Sequence, residues 1–186
     1  PFDLLTQVGR DCVGAVQIVP DGEDPGDVHR ISGVHLNDAE VARLLRNSLK
    51  PGSAPGRLDD ERELRLSLAG AQEKTALLRH EGQWWLPTGP TPTTHIFKLP
   101  LGLAGNLPYD LEHSIQNEWL CARILAALDL PAARCELMPF EDFPVLVVER
   151  FDRRLVRAHG AKPEWGQRRQ QEDFCQATGT PPQLKY

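Results

Sequence analysis

Residues 65–78, Arg-Leu-Ser-Leu-Ala-Gly-Ala-Gln-Glu-Lys-Thr-Ala-Leu-Leu, constrain this chain more than any other stretch. Leu64, Leu66 and Leu68 alternate with Glu63, Arg65 and Ser67, the period of two that a half-buried strand requires. Ala69, Gly70 and Ala71 then interrupt the pattern with almost no side-chain bulk, and Thr75, Ala76, Leu77 and Leu78 restore strand character. Two strands joined by such a loop form an ordinary hairpin. The same arrangement can also lay backbone N–H groups over an anion such as phosphate, and local pattern leaves both readings open.

The flanking sequence supplies the rest of an α+β domain. Upstream, Phe2, Leu5 and Val8 suggest a short helix, and residues 13–19 read equally well as helix or strand. Leu36-Asn-Asp-Ala-Glu-Val-Ala-Arg-Leu-Leu45 is a clearer helix, with Asn37 as cap and Glu40 completing a capping box. Pro51-Gly-Ser-Ala-Pro-Gly56 breaks all periodicity, so a small, mostly helical subdomain is expected over 1–56 and a second unit over 57–151. In that unit, strands are expected near 63–69, 74–80, 84–86 and 94–99. A long helix capped by Asp110 follows over about 111–128, and then two strands over 134–138 and 145–151. Residues 152–186 form the exit.

The totals exclude several classes. Forty per cent hydrophobic and 25% charged residues describe a globular chain rather than a disordered one. No apolar run approaches the roughly 20 residues that span a bilayer, so no membrane partner is expected. The net charge of −5 argues against nucleic-acid binding by the chain alone. Arg150, Arg153, Arg154, Arg157, Lys162, Arg168 and Arg169 do cluster, but interspersed acids make them read as a solvated face. Cys12, Cys121, Cys135 and Cys175 lack zinc or disulfide spacing, which suits a reducing cytoplasm, and no metal ligand set is legible among the six histidines.

The order of strands, one helix and two further strands is that of a protein-kinase small lobe, and each chemical slot of such a lobe has a candidate. Lys98 is a lone cation in the apolar strand Ile96-Phe-Lys-Leu99: either it contacts a buried partner or it sits on a strand edge and reaches solvent. Glu118 shares a helix face with Leu111, Ile115, Ala122 and Leu125, so it either opposes Lys98 or borders a rotated apolar stripe that uses Trp119 and Leu120. Glu149, Arg150 and Phe151 end the Val-rich strand where an adenine-holding hinge would lie, and Asp152 follows where a ribose hydroxyl would be met. Two familiar phosphate motifs fail. Glu73, not Gly, precedes Lys74-Thr75, and Gly70 is the only glycine of the three that a standard kinase loop needs.

Five ordered motifs carry a family resemblance: Ser67-Leu-Ala-Gly-Ala-Gln-Glu-Lys-Thr75, Thr91-Pro-Thr-Thr-His-Ile-Phe-Lys-Leu-Pro100, Asn117-Glu118, Val148-Glu-Arg-Phe-Asp-Arg-Arg154 and Gln171-Glu-Asp-Phe-Cys-Gln176. Together with Phe2-Asp-Leu-Leu and Gly9-Arg-Asp-Cys-Val-Gly-Ala, they resemble the HipA family of bacterial toxin serine/threonine kinases.

The resemblance implies an ATP-dependent kinase of a toxin–antitoxin system. Gly70, Ala71, Gln72, Glu73 and Lys74 would cover the nucleotide, Lys98 would contact its phosphates and Glu118 would orient Lys98. Glu149 and Phe151 would hold adenine through backbone atoms, with Asp152 near the ribose. Ser67 would be the autophosphorylation site that silences the enzyme, and Gln171 a neighbour of the active site. The catalytic Asp and the Asp that holds Mg²⁺ would belong to a large helical lobe absent from these residues. The chain would then be an N-terminal portion, inactive alone, or alternatively a shortened nucleotide- or antitoxin-binding module. Implied partners are a HipB-like helix-turn-helix antitoxin, operator DNA reached mainly through that antitoxin, and a protein substrate such as an aminoacyl-tRNA synthetase.

Overall fold

The computed structural model describes residues 9–49, 72, 74–101, 111–157, 159–160 and 164–184. The expected helix near 2–8, the strand at 63–69 and the Asp110 cap lie outside them. Among the described residues the architecture is α+β, built on a six-stranded antiparallel sheet. Its strands are β1 (Gly33–Leu36), β2 (Lys74–His80), β3 (Gln83–Pro87), β4 (His95–Lys98), β5 (Cys135–Phe140) and β6 (Phe143–Glu149). They lie in the order β1-β3-β2-β4-β6-β5. A separate ribbon pairs β7 (Arg153–Val156) with β8 (Trp165–Arg168). No helix in the described residues is long and apolar enough to cross a membrane.

Local chemistry explains the main elements. Helix α1 (Asp38–Ser48) opens with the anticipated capping box: Asn37 Oδ1 accepts the Glu40 N–H at 2.9 Å and Glu40 Oε2 accepts the Asn37 N–H at 2.8 Å. The β2–β3 hairpin turns through Glu81 and Gly82, both with positive φ (51° and 76°), the backbone that matches strand twist. β1 approaches β3 so closely that a Cβ on Gly33 would stand 2.7 Å from the Leu86 carbonyl oxygen. Helix α2 (Ser114–Ala127) begins after His113, which makes no side-chain capping bond.

Alternation along the strands sorts the two faces. Leu36, Leu77, Trp84, Phe97, Phe140, Val145 and Val147 point to one face and pack against Val41, Ala42, Leu44 and Leu45 of α1. The Trp84 ring meets Phe97 edge-on, with centroids 4.9 Å apart. Arg46 of α1 reaches Glu141 (2.7 Å) and Asp142 (2.6 Å) in the β5–β6 turn and lies over the Phe143 ring. Lys98, one residue beyond Phe97, points the other way and meets Glu118 of α2. The two helices therefore cover opposite faces.

Two expectations change here. The sequence suggested separate units on either side of 51–56. Instead β1 joins the sheet and α1 shares one core with β3, β4 and β6, because α1's apolar stripe finds its cover on that sheet. Residues 13–19, readable as helix or strand, are neither: Gly14 adopts φ 74° and the chain runs irregularly through 16–20. Leu45 is fully buried in the shared core. Truncating it to Ala should cost about 2–5 kcal/mol, measured by urea unfolding, and a cost under about 1 kcal/mol would contradict a core spanning both segments.

Candidate functional site

Strand register places Lys74 of β2 directly opposite Lys98 of β4, on one face. Like charges across an antiparallel pair repel and need a compensating anion. Glu118 supplies part of it: its Oε1 lies 2.5 Å from Lys98 Nζ, with side chains 41% and 22% exposed respectively. Lys98 therefore sits on an inner strand, between β2 and β6, and pairs with a partly exposed carboxylate. Gln72 is half-buried nearby and donates to the Leu99 carbonyl at 2.8 Å, closing one end of the cation pair. Beside Glu118 a cavity of about 470 Å³ opens, lined by Gln72, Leu101, Leu111, Ser114 and Asn117. Cys135 belongs to this neighbourhood too. Burial, and then the charge of Glu118, pushes its thiol up, while Lys98 and Arg123 pull the other way.

The α2 stripe that predicted Glu118's position holds only at its start. Ile115 is fully buried, whereas Leu125 is 40% exposed, and Leu120, Ile124 and Leu128 also face solvent. The helix packs against β5 and β6.

The chain after β6 is organised by charges that sequence reading assigned to solvent. Arg150, Asp152 and Arg153 are all buried, as is Asp11. Arg150 holds Asp152 in a two-point contact, Nε to Oδ1 at 3.0 Å and Nη2 to Oδ2 at 2.9 Å. Asp152 Oδ2 also accepts Arg153 Nη1 (2.8 Å) and the Gly14 N–H (2.9 Å). Asp11 accepts Thr93 Oγ1 at 2.5 Å, Arg150 at 3.2 Å, Arg153 at 3.1 Å and Arg168 of β8 at 3.4 Å. Burial alone pushes the Asp152 carboxyl up. Arg150, helped by the Gly14 N–H and Arg153, outweighs it and holds the group below the usual carboxylate range.

This corrects two expectations. The 150–169 arginines are not one solvated face, since Arg150, Arg153 and Arg168 neutralise Asp11 and Asp152 inside the fold. Asp152, expected near a ribose hydroxyl, has both carboxylate oxygens occupied and is 3% exposed, so no sugar meets it in this geometry. Sequence reading missed Asp11 because its partners lie up to 157 residues away. No local pattern carries such a contact.

The other sequence candidates divide as follows. Glu149 ends β6 with an exposed side chain, and Phe151 is 67% exposed in the turn that follows. The Arg150 N–H is used by the Thr94 carbonyl at 2.9 Å. Gln171 abuts Gly14, its backbone N 3.4 Å from where a Cβ on that glycine would stand, which puts it behind the ion cluster. Ser67, Gly70, Ala71 and Glu73 lie outside the described residues.

A family model described as HipA-like C-terminal domain matches residues 66–186. The chain is 36% identical over 190 residues to Y4mE of Sinorhizobium fredii, a match covering all of this chain and 41% of that protein. It is 27% identical over 185 residues to the serine/threonine-protein kinase toxin HipA of Shewanella oneidensis, again over its whole length and over 38% of the relative. A solved structure of Shewanella oneidensis HipA with HipB and its operator DNA matches the fold with TM-score 0.68 at 27% identity, covering 100% of this chain and 39% of that one. The chain thus spans about two-fifths of the length of these relatives.

The ion cluster makes a direct stability prediction. Removing one partner leaves buried charge uncompensated, which costs about 3–5 kcal/mol. Asp11→Ala should therefore lower the unfolding free energy by about that much in urea titration. A loss under about 1 kcal/mol would show that the cluster is not what ties residues 9–14 to 150–168.

Proposed function

The chain belongs to the HipA-like family, and on that premise we propose that it forms the nucleotide-binding small lobe of a serine/threonine-protein kinase toxin. The observation that carries the reading is the Lys98–Glu118 pair, with Lys74 opposite on the same face. The Lys98 ammonium, held by Glu118 beside an open cavity, suits the phosphates of ATP.

In this reading Lys98 holds the nucleotide phosphates and Glu118 keeps the Lys98 ammonium in place. Gly70, Ala71, Gln72, Glu73 and Lys74 cover the nucleotide, with Lys74 adding charge from the neighbouring strand. The backbone of Glu149 and Phe151 holds adenine. ATP with Mg²⁺ supplies the phosphoryl group, and the base and metal ligands come from outside these residues. The substrate is a protein, in the family an aminoacyl-tRNA synthetase, and silencing comes from a HipB-like antitoxin and from phosphate on Ser67. A phosphate there adds about −1.5 to −2 charges, which would compete with the nucleotide for Lys74 and Lys98.

Two measurements test this. Lys98→Ala should weaken ATP binding at least about tenfold by calorimetry, the worth of one charge-assisted contact, with Glu118→Gln intermediate. Unchanged affinity in both variants removes the nucleotide assignment. In the intact protein incubated with ATP, Ser67→Ala should remove phosphate from the 65–75 peptide in mass spectra, and persistent label on that peptide refutes the role of Ser67.

A further inference from the structure

A second cavity, of about 420 Å³, opens on the opposite face of the sheet from Lys98. His95 stands three residues before Lys98 on β4 and pairs across the sheet with Glu149, so both point away from the Lys98 side. Arg79, Arg153, Arg154 and Arg157 complete most of its wall, with Glu164. From this arrangement we propose that the cavity behind the β6–β7 connection is a binding site for a phosphate monoester, separate from the nucleotide site.

Charge and preorganisation both point there. With Arg150 and Arg153 assigned to the ion cluster behind it, the wall carries Arg79, Arg154 and Arg157 against Glu149 and Glu164, a surplus of one positive charge (three less two). Asp11 and Asp152 behind it are shared among Arg150, Arg153 and Arg168, so the buried cluster itself retains one positive charge in excess. Arg153 Nε is buried and finds no acceptor among the described residues. Arg154 and Arg157 are exposed, and neither makes an ion pair with a described residue. Arg79 is braced over the Trp84 ring, 5.3 Å from its centroid, so its guanidinium is held near the cavity at little entropic cost.

His95 contributes a neutral donor. Thr94 Oγ1 accepts the Arg79 backbone N–H at 2.8 Å and lies 2.8 Å from His95 Nδ1; in the tautomer whose Nδ1 accepts from that hydroxyl, the ring proton sits on Nε2. Burial first, and then the charge of Arg79, pushes the His95 pKa down to about 4. The ring therefore adds no charge near neutrality and does not repel Arg79. Guanidinium forks and a neutral N–H match the oxygens of a phosphate dianion. The recessed shape suits a terminal phosphate better than the continuous backbone of a duplex.

The test uses the intact protein titrated with phenyl phosphate by calorimetry. Wild type should bind saturably. The double variant Arg154→Ala/Arg157→Ala should bind at least about tenfold more weakly, since it removes two charge-assisted contacts to the phosphate, with its thermal midpoint unchanged because neither side chain forms an ion pair with a described residue. Lys98→Ala should leave phenyl phosphate affinity as in wild type, which separates this site from the nucleotide reading. Absence of saturable binding in wild type, equal affinity in the double variant, or loss on Lys98→Ala alone each overturns the proposal. So does a short DNA duplex that binds through Arg154 and Arg157 and is not displaced by phenyl phosphate, which would make the surface a nucleic-acid contact.

Discussion

The buried cluster of Asp11, Arg150, Asp152, Arg153 and Arg168 is the constraint on which the rest depends. It gathers the irregular run near Asp11, the Thr93 approach to β4, the turn after β6, and the β7–β8 ribbon in which Arg153 and Arg168 are register partners. Guanidinium groups cannot shed their protons to ease burial, so the acids must stay paired and their carriers must stay in register. The cluster need not be more stabilising than an apolar core of the same volume. What it does provide is geometric uniqueness, because each carboxylate oxygen has named donors at fixed distances. Gly14 shows how far local structure yields to it, adopting φ 74° while its N–H serves Asp152 and its carbonyl oxygen accepts from Arg153 at 2.8 Å.

With the connection after β6 held this way, the sheet divides its labour by face. Beneath α1 one face is an apolar core of Trp84, Phe97, Phe140 and aliphatic side chains, and beyond that core the same face carries Arg79, His95 and Glu149. The α2 face near Lys98 is cationic and partly open, with Glu118 the carboxylate that meets Lys98. A strand that alternates Phe97 with Lys98 serves both: the same backbone anchors a core and projects a charged group. Lys98 is thereby fixed by the packing of its neighbour as much as by its own ion pair.

How much of this was legible in the sequence follows from the range of the interactions concerned. The α1 capping box needs only Asn37 and Glu40, three residues apart, and was readable directly. The Lys98–Glu118 pair spans 20 residues, but the strand's alternation and the helix's period each aimed one partner, so their meeting could be anticipated. Family resemblance added the chemical meaning. By contrast, the sheet's extension to β1 crosses the Pro- and Gly-rich break, and periodicity says nothing about which strands become neighbours. The ion cluster was invisible for a different reason. Charged residues read as solvated by default, and only the tertiary fold brings Asp11 to Arg150, Arg153 and Arg168. The kinase-hinge analogy, for its part, put Asp152 beside a sugar, whereas its carboxylate is spent on arginines.

Membership of the HipA-like family and the Lys98–Glu118 geometry converge on one face of the sheet, and the central claim is that nucleotide phosphates bind there. The most direct measurement is covalent labelling of the intact protein with an acyl-phosphate derivative of ATP, which acylates lysines lying against bound phosphates, followed by peptide mapping. Of Lys50, Lys74, Lys98, Lys162 and Lys185, the account predicts label on Lys98, with Lys74 second, and its loss when excess ATP competes. Label confined to Lys50, Lys162 or Lys185, or label on Lys98 that ATP does not displace, would contradict it.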